Sequence, residues 1–147
     1  MPLKDILAQD LKESMKFKNK VKKDVVTMVR AAIKQREVDE RIELGDADII
    51  DVIAKQVKQK RDAIEEFQKG KRQDLVDLTN EEIKILLDYL PPQLSEDELE
   101  QLVKDTINET QAQTKKDLGK LMAVLMPKVK GKADGKQVNQ IVAKYLQ

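Results

Sequence analysis

Ile83-Lys84-Ile85-Leu86-Leu87-Asp88-Tyr89-Leu90-Pro91-Pro92-Gln93-Leu94-Ser95-Glu96-Asp97-Glu98 contains the sharpest break in this chain. Before the break, Ile83, Leu86, Leu87 and Leu90 recur at helical spacing. The two prolines cannot donate to a helix ladder, and proline pushes the residue before it towards extended backbone. After them, Ser95 and Glu98 stand at capping-box spacing and open a second amphipathic run, Leu99, Leu102, Val103 and Ile107. The chain therefore divides into residues 1–90 and residues 93–147.

Upstream, helical periodicity is nearly continuous. Leu3, Leu7, Leu11 and Met15 recur at i+4, with Pro2 at a tolerated first-turn position. Lys16–Lys20 reads as a turn. A second helix follows, with Val25, Val26, Val29, Ala32 and Ile33 on one face, and its charged end, Arg36–Arg41, is expected to run past the core. Leu44-Gly45-Asp46-Ala47-Asp48 reads as a helix stop followed by an N-cap. A third helix is predicted from about Ala47 to Lys69 on Ile49, Ile50, Ile53, Val57, Ile64 and Phe67. Its middle, Lys55–Asp62, has only Val57 as a large apolar residue and should face solvent. Gly70 reads as its stop, and Thr79 with Glu82 as the capping box of a fourth helix.

Downstream of the prolines, Thr114 is expected to cap a helix on Leu118, Leu121, Met122 and Leu125, with Pro127 just past its end. The last helix carries Val138, Ile141, Val142, Tyr145 and Leu146. The outcome is an all-α chain: a bundle of about four helices, then a small three-helix domain.

Composition narrows the chemistry. The 147 residues are 37% charged and 40% hydrophobic, with aromatics limited to two Phe and two Tyr, so aliphatic side chains must form the core. There is no cysteine and no histidine. Disulfides, thiolate nucleophiles and Ser-His-Asp or Cys-His machinery are excluded, and zinc would have to use carboxylates alone. No catalytic residue, cofactor or metal ligand is assigned. Glu96-Asp97-Glu98 sits where a helix first turn favours negative charge, which accounts for it without a metal. The N-terminus shows no signal-peptide apolar region, and no uncharged run approaches the roughly eighteen residues of a membrane span. These features read as a soluble, cytoplasmic protein with no membrane contact.

The net charge of +1 hides polarity. Lys115–Gln147 holds eight lysines and two aspartates, a net of +6, whereas Ser95–Thr110 holds six acids and one lysine, a net of −5. The loop Lys128-Val129-Lys130-Gly131-Lys132-Ala133-Asp134-Gly135-Lys136 offers cationic side chains and glycine-flanked amides to an anion. The candidates for RNA contact are Lys116, Lys120, Lys128, Lys130, Gly131, Lys132 and Lys136. The same lysines also read as a solvated surface beside an acidic neighbour. A phosphate-binding P-loop is excluded, because Met126 stands where its first glycine would be and Ala133 where its Ser or Thr would be. Lys58, Lys60, Arg61 and Arg72 are secondary candidates, with intrahelical pairing to Asp62, Glu65 and Glu66 as the competing reading. The acidic segment near 95–110 could equally meet a protein partner. Aromatics are too sparse for a base-stacking surface, and Tyr89 and Tyr145 read as core.

Arg61, Arg72-Gln73-Asp74-Leu75, Tyr89-Leu90-Pro91, Gln93-Leu94-Ser95, Gly119-Lys120-Leu121-Met122 and Lys130-Gly131-Lys132-Ala133-Asp134 occur in an order that resembles the YqeY family over the whole chain. These are small bacterial proteins similar to the C-terminal tail of the GatB subunit of tRNA-dependent amidotransferases. The resemblance implies a GatB-tail-like domain at residues 93–147 and a non-catalytic protein or adaptor that binds tRNA. It also leaves open an accessory role in a carbon–nitrogen ligase that uses glutamine as amido donor, or a protein scaffold.

Overall fold

A computed structural model describes residues 1–146. Its order is α1 (Leu3–Lys16), α2 (Lys20–Glu40), α3 (Asp46–Lys69), α4 (Gln73–Leu87), α5 (Glu96–Thr110), a 3-10 turn (Lys115–Asp117), α6 (Leu118–Val129) and α7 (Gly135–Tyr145). There is no strand among the described residues. None of the described helices is long and apolar enough to cross a membrane.

The chain forms two compact units, Met1–Leu90 and the part from Pro91 on. In the first, α2 packs against α1, α3 and α4, and α3 against α4. Its core joins Leu7, Val25, Val26, Val29, Ile33, Leu44, Ile49, Ile53, Val57, Ile83 and Leu86. In the second, α5 packs against both α6 and α7. There the core is Leu99, Val103, Leu121, Leu125, Val129, Val138, Ile141, Val142 and Leu146.

Several local expectations are corrected. α4 starts six residues before Thr79, at Gln73. Thr79 is buried mid-helix, and its hydroxyl donates to the Leu75 carbonyl at 2.7 Å instead of capping. Pro127 lies inside α6, which continues to Val129. The missing amide is on the exposed side, where water can serve the carbonyl one turn back, so the helix survives. The middle of α3 is not simply solvated: Lys60 is 15% exposed in its side chain and pairs with Glu82 of α4 at 3.5 Å. The charged end of α2 does run past the core, with no buried residue between Ile33 and Leu44, but it is anchored there. Glu37 is held by Lys4 and accepts from the Leu44 amide at 2.8 Å, which tucks Leu44 into the core. Both partnerships, led by the Lys4 hydrogen bond, keep the Glu37 carboxyl below the usual carboxylate range.

The helix stops also differ. Gly45 is an extended N-cap, with its amide donating to Asp48 at 3.4 Å, and the left-handed residue that ends α2 is Arg41, at φ 55°. Gly70 keeps negative φ, and the left-handed residue after α3 is Lys71. Lys18 and Gln111 fill the same role after α1 and α5. Four helices thus end on a left-handed residue with a side chain, a conformation glycine adopts at lower cost.

Arg41→Gly and Gln111→Gly should each therefore raise stability by up to about 1 kcal/mol, read as a higher urea midpoint at unchanged slope. Truncating Leu86, which is fully buried, to Ala should cost about 2–5 kcal/mol. A fragment of residues 93–147 should give a helical circular dichroism spectrum with a thermal transition. A disordered spectrum would mean that the first unit supplies part of its core.

Candidate nucleic-acid interface

The second unit begins as a strap. The Gln93 side-chain amide donates to the Pro91 carbonyl at 2.9 Å and to the Gly131 carbonyl at 2.7 Å. The Leu94 amide donates to the Lys132 carbonyl at 2.9 Å. The double-proline segment is thereby stitched to the basic loop, some forty residues further along the chain. Sequence periodicity has no means of showing this link.

Ser95 then caps α5. Its hydroxyl accepts from the Glu98 amide at 3.1 Å, and Glu98 accepts from the Ser95 amide at 3.0 Å. That return bond holds the Glu98 carboxyl low. Two acids further along α5, Glu100 and Glu109, turn towards the basic helices, while Asp105 accepts from Gln101 within α5 at 2.9 Å. Glu100 accepts from the Tyr145 hydroxyl and lies 3.7 Å from Lys144. Tyr145 comes first and Lys144 second in lowering its carboxyl. Lys104 stands 5.6 Å over the Tyr145 ring, within cation–π range. Glu109 pairs with Lys128 at 2.6 Å.

The basic loop is shorter than its sequence suggests, because α6 takes up Lys128 and Val129. The Val129 carbonyl accepts from the amides of Lys132 (2.8 Å) and Ala133 (3.2 Å). Gly131 is buried at φ 72°, a left-handed turn position that suits glycine. The Asp134 side chain accepts from the Lys136 amide at 3.1 Å and caps α7. Gly131 is thus a turn residue with its carbonyl engaged by Gln93, and the amides of Lys132, Ala133 and Lys136 are occupied within the protein. What this segment offers an anion is side chains.

Those side chains form two groups. Lys130, Lys132 and Lys136 are exposed at the turn between α6 and α7, and Lys116 and Lys120 are exposed at the other end of α6. Ten residues of helix rise separate Lys120 from Lys130, about 15 Å at 1.5 Å per residue. Lys128 stands apart from both groups in its Glu109 pair. The group at the start of α6 rests on the 3-10 turn. There Asp117 accepts from the amides of Gln113 (2.9 Å) and Thr114 (3.2 Å), which hold its carboxyl below the usual range.

The secondary candidates belong to the first unit. Lys58 is exposed and Arg61 half-buried. Lys60 is committed to Glu82 across helices, not within its own. Arg72 forms a two-pronged pair with Asp74 at 3.1 and 3.0 Å. Tyr89 and Tyr145 are half-buried, and each hydroxyl meets a carboxylate. Burial, then the Asp10 carboxylate, pushes the Tyr89 phenol up. No group of three or more metal-binding side chains comes together among the described residues.

Residues 4–146 match the family described as Yqey-like protein. Among curated proteins, the chain is similar to altered inheritance of mitochondria protein 41 of several fungi. Identity is 42% over 84 residues with the Kluyveromyces lactis protein, covering 56% of this chain and 45% of that one. It is 31% over 129 residues in Pyrenophora tritici-repentis, covering 86% and 71%. In Lachancea thermotolerans it is 34% over 106 residues, covering 70% and 57%. The chain thus spans between about half and 71% of the length of these relatives. Neither the family description nor these names designate a reaction. They correct the expectation of a bacterial, cytoplasmic protein, since the curated relatives are fungal and named as mitochondrial. The error lay in reading location from a missing apolar leader: segments that address proteins to mitochondria are amphipathic and Arg-rich, with no such apolar region.

The Asp117 turn gives a pH prediction. Because the folded carboxyl is held low, its contribution is complete above the ordinary carboxylate range and fades as pH falls through the folded value. Asp117→Asn should lower the melting temperature at neutral pH and leave a shallower loss of stability between about pH 5 and pH 2. Thermal melts across that range would check it.

Proposed function

The chain belongs to the YqeY family, and from that premise we propose that it acts by binding and not by catalysis, with its second unit gripping the phosphate backbone of a tRNA. Lys116, Lys120, Lys130, Lys132 and Lys136 are the contacts. One observation carries the reading, the partition of charge in this unit. Glu100 and Glu109 are turned to Tyr145, Lys144 and Lys128, while lysines at both ends of α6 face solvent. Exposed lysines spread over about 15 Å of helix suit a repeating anion better than a single one. The resemblance to the GatB tail of tRNA-dependent amidotransferases, carried by Gly119-Lys120-Leu121-Met122 and Lys130-Gly131-Lys132-Ala133-Asp134, points the same way and names tRNA.

The residue inventory supports binding over chemistry. The chain has no cysteine or histidine. Ser14 is buried and donates to the Leu11 carbonyl at 2.8 Å, and Ser95 caps α5. There is no histidine to activate either serine. An accessory role beside a glutamine-using carbon–nitrogen ligase remains compatible, with the chemistry supplied by the partner.

Filter binding of tRNA should show modest affinity that falls with salt, with a slope of about −2 to −4 for three or four phosphate contacts. Glutamine at Lys116, Lys120, Lys130, Lys132 and Lys136 together should remove most of that slope, whereas Lys128→Gln should change it little. The same substitution at Lys58, Lys60 and Arg61 is the control. Lost binding there, with normal binding by the first variant, would put the RNA on the other unit. No binding by the wild type at low salt would sink the reading. The purified protein should also release no ammonia from glutamine, and steady release that co-purifies with this chain would make it an enzyme.

A further inference from the structure

α2 has a second face. Its core side carries Val25, Val26, Val29 and Ile33. On the opposite side Met28, Ala31, Gln35 and Val38 follow at spacings of three and four, and Ile42 lies just past the helix end. Met28 is 54% exposed, Val38 64% and Ile42 47%, and Ala31 and Gln35 are exposed as well. At 100° per residue the four helical positions fall within an arc of about 80°. Scattered exposed apolar side chains are ordinary. The helical ones share one stripe, with 28 and 35 in one heptad position and 31 and 38 in the other.

The stripe runs between two clefts of opposite character. The cleft on the α1 side, about 520 Å³, is lined by Lys4, Arg30, Lys34 and Glu37. Lys4 takes Glu37, which leaves Arg30 and Lys34 to make that side cationic. The cleft on the α3 side, about 540 Å³, holds Asp39, Glu40 and Asp51 against Arg36 and Lys55. Gln56 also lines it, and its buried side-chain oxygen accepts no hydrogen bond.

We propose that this stripe joins two copies of the chain, α2 against α2, parallel and in register. In a parallel pair, the residue that flanks the seam on one helix meets the residue five positions further along on the other. Lys34 and Asp39 are such a pair, so each copy's Lys34 reaches the other copy's Asp39, twice by symmetry. Each lysine then enters an acid-lined cleft that already holds an acceptor without a donor. In the reverse orientation like flanks meet, and Lys34 faces Lys34. Gln35 sits in the seam and meets Gln35 of the second copy. A polar residue at such a position sets register at some cost in stability. The pattern therefore fits a second copy better than a nucleic acid, which has no use for Met28 and Val38. The helical seam covers about one and a half heptads, so association is weak, with a dissociation constant on the order of 10–1,000 µM.

Sedimentation equilibrium of the full chain without RNA tests this independently of the tRNA reading. A monomer–dimer equilibrium is expected, weakened about tenfold or more by Val38→Glu. Lys34→Glu and Asp39→Lys should each weaken it, and the two together should restore it. Positions five apart lie about 140° round one helix, so a rescue has to act between copies. The chain has no cysteine, so Gln35→Cys oxidised with copper phenanthroline should form a disulfide dimer and Lys23→Cys should not. A protein that stays wholly monomeric at about 1 mM, the weak end of the expected range and a concentration at which even that dimer would be populated, overturns the proposal. So does a dimer indifferent to Val38→Glu, failure of the paired charge reversal, or equal cross-linking at both cysteines.

Discussion

Burial of narrow aliphatic stripes is the constraint on which everything else in this protein rests. Without cysteine there is no covalent staple, and of the few aromatics Tyr89 and Tyr145 stand at the edges of the cores while Phe17 is exposed. Each fully buried Leu, Ile or Val contributes roughly 1.5–3 kcal/mol, so every helix must align several of them. α2 does this with Val25, Val26, Val29 and Ile33, and α5 with Leu99 and Val103. A stripe that narrow leaves most of each helix surface to charge. The high charge content and the small cores are thus two sides of one design.

In the second unit the division of charge follows from where α5 sits. It packs on both α6 and α7, so its outer acids lie beside basic helices. Glu109 takes Lys128, and Glu100 takes Tyr145 and Lys144. Pairs this exposed are worth little as stability. Their larger effect is on what remains. They hold Glu100 and Glu109 against the protein's own lysines, while the lysines at the ends of α6 stay exposed. Packing thereby sorts eight lysines of similar appearance into structural ones and solvent-facing ones.

Turn chemistry gives the first unit its own character. Lys18, Arg41 and Lys71 end helices in a backbone region that favours glycine. Tertiary contacts nearby compensate, as at the end of α2, where Lys4, Glu37 and the Leu44 amide tie the following loop to the core. The same arrangement explains why the long charged end of α2 stays helical to Glu40 and can hold Met28, Ala31, Gln35 and Val38 in one phase.

The all-α class, the number of long helices and the break at Pro91-Pro92 were legible in the sequence, because periodicity and proline act locally. Ser95 and Glu98 were legible for the same reason: a capping box is a contact three residues long. Thr79 and Glu82 have that spacing too, but the core stripe of α4 extends back to Val76 and overrides it. Pro127 looked like a helix end, yet the burial of Val129 draws α6 past it. The lysines of the loop were legible as charge and not as geometry. Their sorting depends on contacts between residues far apart in the chain: Gln93 with Gly131, Lys128 with Glu109. The sequence alone determined which helices form and which faces they bury. Only the tertiary structure decided which charges cancel, because an ion pair between helices needs two surfaces in register, and periodicity along one helix carries no information about the other.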